Sequence, residues 1–110
     1  MRTIDTIFNE INDHIFSTFC YMDTLDKDVF GAFTLYREFM SLTKTSLYKY
    51  GRVIENDITL VISAVEITNS HARIIANGHE SALYGETVRK LADSVIKFCY
   101  ERKEELGKVF

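Results

Sequence analysis

The side chains best suited to chemistry in this 110-residue chain are three histidines, two cysteines and a basic, aromatic stretch near its middle. His14 follows Glu10 by four residues, so on a helix the two project from one face. A metal site needs three or four ligands at usable spacing. A single Glu/His pair falls short, and no Glu-x-x-His pair of the kind that holds two metal ions in bundles occurs. His71 and His79 stand either side of Asn77-Gly78 with no catalytic partner in view. His79, just past that stop, is expected to favour a helix C-terminal dipole when protonated. No metal and no other cofactor is expected.

Cys20 and Cys99 would act as nucleophiles only if a neighbour lowered their pKa. Both fall on apolar stripes, which predicts inert core thiols. If the first and last helices run antiparallel, the two thiols lie at opposite ends and cannot bridge. Two cysteines do not form a disulfide framework. The start, Met1-Arg2-Thr3-Ile4-Asp5, lacks the apolar core of a signal peptide. A cytoplasmic protein with reduced thiols is the expectation.

Residues 44–52 interleave bases with aromatics, and Lys44, Lys49 and Arg52 are the candidate anion-binding set. Such a stretch can stack on single-stranded nucleic acid. The footprint is small, however, and cations near a helix C-terminus are favourable without any ligand. The net charge of −3, from 13 basic and 16 acidic side chains, also gives no nucleic-acid signature. The acids gather early. Asp5, Glu10 and Asp13 form a candidate acidic patch for a basic partner. No phosphate-binding glycine loop, nucleophile triad or paired-carboxylate motif stands out.

The remaining functional signal is aromatic. Eight phenylalanines and six tyrosines exceed what a thin helical core needs. Phe16, Tyr21, Phe39 and Tyr48 lie beside the main apolar stripes and are the candidate partner-binding residues. They point to a non-enzymatic interaction module, of regulator, adaptor, immunity or inhibitor type, that forms a homodimer. The alternative is a small-molecule-binding or catalytic bundle with a pocket near Tyr36, His71 and Tyr84. A nucleic-acid regulator using residues 44–52 is the third reading.

The elements that must position these residues follow from hydrophobic spacing. In residues 3–22, Ile4, Phe8, Ile11, Ile15, Phe19 and Met22 recur every three or four positions, with Thr3 as a candidate cap. Asp23 or Asp26 can cap the next helix, residues 27–50, where Phe30, Phe33, Tyr36, Met40, Thr43, Leu47 and Tyr50 keep the period. Gly31 inside it is expected to admit a neighbouring helix closely. Residues 57–77 are ambiguous. Ile58, Val61, Ile62, Val65, Ala72, Ile75 and Ala76 fit a helix, and Leu60, Ile67 and Ile74 form an adjacent line, with Asn56 or Asp57 as cap. Yet Ile58-Thr59-Leu60-Val61-Ile62 is β-branched and reads equally well as a strand. Residues 81–106 carry Tyr84, Val88, Leu91, Val95, Phe98 and Cys99 on one face. Opposite charges four apart at Glu86–Lys90, Arg89–Asp93 and Asp93–Lys97 lace the other. Gly51, Gly78 and Gly107 each follow a periodic segment and read as helix stops.

One domain spanning residues 1–110 is expected, an all-α four-helix up-down-up-down bundle. The alternative is α+β, with helices packed on a small antiparallel sheet formed by residues 46–77. No apolar run approaches the roughly 18 residues that a membrane span needs.

Overall fold

The computed structural model describes residues 4–50 and 58–108. They form four helices: α1 (Ile4–Cys20), α2 (Lys27–Tyr50), α3 (Ile58–Asn77) and α4 (Ala82–Lys108). No strand occurs among the described residues, so the sheet alternative does not form there. In α3 the spacing outweighs the β-branched run. Ile58, Val61, Ile62, Val65, Ala72 and Ala76 are all buried along one face, and burial of that face dominates a weak local propensity.

The helix ends have identifiable causes. The Asp26 carboxylate accepts the backbone N–H groups of Asp28 (2.8 Å) and Val29 (3.4 Å) and caps α2. Asp23 instead holds the preceding turn, accepting from Leu25 N–H at 3.1 Å. Ser81 Oγ caps α4 by accepting from Tyr84 N–H at 3.2 Å. Gly78 does end α3, its N–H reaching the carbonyls of Ile74 (3.3 Å) and Ile75 (3.2 Å). Gly107 does not stop α4, which continues through Lys108. A glycine in a helix costs only about 1 kcal/mol, too little by itself to end so long an element. Thr3, Gly51, Asn56 and Asp57 lie outside the described residues. α1 ends at Cys20, short of Met22, whose side chain still packs on the core.

Cross-helix pairs fix the helix directions. Glu10 meets Arg102 and His14 meets Ser94, so α1 and α4 are antiparallel. Asp5 meets Lys44 and Phe19 meets Phe33, so α1 and α2 are antiparallel. Glu66 meets Tyr100 and Asn77 meets Arg89, so α3 and α4 are antiparallel. α2 and α4 also pack on each other, whereas α1 and α3 lie on opposite flanks and scarcely touch. Asp93 takes Arg73 of α3 as partner and Arg89 donates to Asn77; the expected Glu86–Lys90 pair forms at 3.1 Å.

Two glycines face helix neighbours. A Cβ at Gly31 would meet the Tyr84 ring of α4 at 3.4 Å, an ordinary van der Waals distance, so the ring packs over Gly31 without glycine being required there. A Cβ at Gly85 would lie 3.2 Å from the Ala76 carbonyl, tighter than ordinary contact, so an added methyl requires a shift of a few tenths of an ångström where α4 meets α3.

Polar groups thread the apolar core where α2, α3 and α4 meet. The Tyr36 hydroxyl donates to Asn69 Oδ1 at 2.6 Å, and Asn69 Nδ2 donates to the Ala92 carbonyl at 3.1 Å. Tyr36 is completely buried and Asn69 nearly so. Nearby, the hydroxyls of Thr43 and Thr68 meet each other across α2 and α3. Burial pushes the Tyr36 hydroxyl well above the usual tyrosine range, and pushes the Cys99 thiol from 9.0 up to about 12.

Two outcomes are expected from this core. Tyr36→Phe strands the buried Asn69 oxygen and lowers unfolding free energy by about 1–3 kcal/mol in urea titrations, with helicity retained. Above about pH 9 the unfolded chain releases the Cys99 and Tyr36 protons while the folded chain holds them. Stability therefore falls as pH rises, by up to about 1.4 kcal/mol per pH unit per proton. Urea midpoints measured between pH 8 and pH 11 should fall, and fall less steeply in Tyr36→Phe.

Candidate functional site

Each helix that borders a surface recess supplies a stripe at three- and four-residue spacing. From α2 come Phe39, Leu42, Thr43, Ser46 and Leu47, and from α3 come Ala64, Ile67, Thr68 and His71. Between them runs an open groove of about 470 Å³ with a mainly apolar lining. Leu42 and Ile67 are 62% and 60% exposed, far more than apolar residues on a packed helix face. A second hollow, of about 490 Å³, opens on the outer side of α2 between Thr34, Arg37, Glu38, Ser41, Leu42 and Thr45. Leu42 borders both recesses and stands between them.

A different surface closes the end where α1 passes into α2. Phe19 and Phe33 stack at 3.9 Å and are buried. Phe16 packs against Phe33 at 6.5 Å and Phe30 against Phe19 at 6.3 Å, yet both remain more than half exposed. The Arg37 guanidinium lies 5.4 Å from the Phe33 ring centre. In the connector, Tyr21 and Leu25 are 90% and 96% exposed.

The expected aromatic rim is therefore divided among separate places. Phe16 and Tyr21 belong to the α1–α2 end. Phe39 is half-buried in the groove wall. Tyr48 sits on the flank of α2 that faces α1, where Asp5 engages both it and Lys44. Phe30, expected on the apolar period of α2, and Leu42 are exposed instead, whereas for Ile67 the spacing carries a signal. Leu60, Ile67 and Ile74 repeat every seven positions off the buried α3 stripe, and Ile67 and Ile74 are exposed.

Charges expected to face a partner are largely met inside the bundle. Lys44 Nζ lies 2.7 Å from the Asp5 carboxylate and, with Tyr48, holds its pKa below the usual carboxylate range. Glu10 lies 3.1 Å from Arg102 Nε, an ion-pair contact without hydrogen-bond alignment. Asp13 is exposed. Of the candidate anion-binding set, Lys44 has this acidic partner, Lys49 is exposed, and Arg52 lies outside the described residues.

The pocket expected near Tyr36, His71 and Tyr84 does not assemble. Tyr36 is sealed in the core, and His71 is exposed at the groove rim. Tyr84 stacks on His79 at 3.8 Å over Gly31, at the other end of α2. One is buried, one exposed and one half-buried at the far end of α2, so no single recess receives them.

His14 and His79 act as packing and turn residues. His14 Nε2 lies 2.8 Å from Ser94 Oγ, and its ring stacks on Phe98 at 4.6 Å, which joins α1 to α4. His79 Nδ1 accepts the Ser81 N–H at 3.0 Å. His79 thereby helps to hold the turn that begins α4. No group of three histidine, cysteine or acidic side chains among the described residues is placed to hold a metal ion.

Cys99 is buried as expected, but Cys20 is exposed at the end of α1. Phe19, one position earlier, is the residue of that turn that packs on the core, and the next position along the helix faces solvent. No helix among the described residues is long and apolar enough to cross a membrane. No protein family, curated protein or solved structure matches the chain.

The two thiols should differ sharply in reactivity. At pH 8 a charged aromatic disulfide reagent should titrate one thiol per native chain quickly, and the second only in denaturant. Cys20→Ser should abolish the fast phase alone.

Proposed function

We propose that the protein is a small non-enzymatic helical interaction module, of regulator, adaptor, immunity or inhibitor type. In this reading the α2–α3 face docks on protein, and the partner on that face is a second copy of the chain. One observation carries it: Leu42 stands exposed between two recesses. A projection beside a hollow suits an isologous contact, in which residue i of one copy meets residue j of the other and the reverse holds by symmetry.

The chemistry of the face supports the same partner. Apart from His71 the groove between α2 and α3 is lined by aliphatic, aromatic and hydroxyl-bearing side chains, and interface cores are poor in charge. Arg37 and Glu38 are opposite in sign, so a chain with net charge −3 meets no like-charge opposition there. The groove is broad and open, which suits side chains from another surface better than an enclosed small molecule. An exposed free thiol at Cys20 favours a reducing, cytoplasmic setting for such a module.

Sedimentation velocity across a concentration series tests the pairing. Wild-type protein should dimerise, and the double variant Leu42→Ser, Ile67→Ser should sediment as a monomer with unchanged helical circular dichroism. A wild type that stays monomeric at the highest concentrations, or a double variant that still dimerises, overturns the assignment.

A further inference from the structure

Surface charge is used in the opposite way at the end where α1 passes into α2. Residues 13–30 carry Asp13, Asp23, Asp26 and Asp28 against Lys27, so this stretch holds a net −3 and the rest of the chain sums to zero. Within it, Phe16, Tyr21, Leu25 and Phe30 are 58%, 90%, 96% and 56% exposed. Large uncovered apolar groups rimmed by charge mark a contact surface. We propose that this end docks a basic amphipathic segment of a different protein.

Charge selects that occupant from the others an apolar surface can take. A second copy would bring an equal acidic end against the first, and like charges juxtaposed in an interface are costly. Anionic lipid and nucleic acid meet the same opposition. A segment with apolar side chains on one face and lysine or arginine at its margins satisfies both features, and the acidic field also accelerates its approach. Arg37 is the cation beside the cluster from α2, and it is engaged over the Phe33 ring.

The surface is held ready for binding. The Phe19–Phe33 stack fixes the floor beneath Phe16 and Phe30. Asp28 accepts the Ser81 hydroxyl at 2.8 Å, which ties the start of α2 to the start of α4. Asp26 and Asp23 fix the connector through backbone N–H groups. The backbone beneath the contact residues is thus already ordered before docking.

The test uses the full chain and a fluorescein-labelled synthetic amphipathic helix of leucine and lysine. Its counterpart with glutamate in place of lysine is the control. Anisotropy should show binding of the leucine–lysine helix that weakens as salt rises. Tyr21→Ser with Leu25→Ser removes apolar contact from the exposed connector without touching the core, and should weaken binding by about tenfold or more. Asp13→Asn with Asp23→Asn should weaken it and flatten its salt dependence. The groove variant Leu42→Ser, Ile67→Ser should bind the helix like wild type, so this proposal and the self-pairing proposal fail separately. Any of four results overturns the inference: no binding of the leucine–lysine helix, equal binding of the glutamate control, wild-type affinity in the connector variant, or adsorption to phosphatidylserine vesicles instead.

Discussion

A single carboxamide governs how three of the four helices fit together. Asn69 lies on the buried face of α3, where an unpaired amide would cost several kilocalories per mole. It is satisfied from two directions, by the Tyr36 hydroxyl of α2 and the Ala92 carbonyl of α4. Sliding any of these helices along its neighbour breaks one of those bonds inside an apolar core. Hydrophobic burial alone tolerates such sliding, because one aliphatic contact replaces another at little cost. The amide turns a generic bundle into one register.

That register has consequences at the surface. Tyr84 packs against Gly31 and the α3 backbone approaches Gly85, so α4 settles close to both α2 and α3. With α2 and α4 in mutual contact, α1 and α3 flank them and do not cover the outer side of α2. Leu42 and Ile67 are left in the open beside the groove for this reason. At the far end the connector is short and tightly bonded, and it cannot fold back over Phe16 and Phe30. Exposed apolar surface here results from the packing arrangement as much as from composition.

The electrostatics divide in the same way. Acids on the first half of α1 find cations on other helices, Asp5 with Lys44 and Glu10 with Arg102. These partly exposed pairs contribute little stability individually, since solvent and salt screen them. Their larger effect is to leave the acidic excess of the molecule at the α1–α2 end. The neutral α2–α3 face and the acidic end are thereby suited to different partners.

Sequence alone determined α1, α2 and α4, their approximate limits and inward stripes, because apolar side chains recurring at helical spacing have one efficient way to be buried. Residues 57–77 it left open between helix and strand, and burial of one face decided for the helix. It also offered Asp23 or Asp26 as the α2 cap, of which Asp26 serves, and Gly78 as a stop. It could not show that Asn69 is the central polar group of the core. That residue lies in the segment left open between helix and strand, and its partners lie on other helices. Nor could it show that Tyr36, His71 and Tyr84 part company, or that Cys20 faces solvent. Spacing places a residue on a helix face, but rotation of the helix and the reach of its neighbours decide what covers that face. Lys44 and Asp5 illustrate the limit: each resembles a feature offered to a partner until the antiparallel packing of α1 and α2 brings them 2.7 Å apart. Only the tertiary structure distinguishes charges and apolar groups already satisfied within the chain from those still exposed to another molecule.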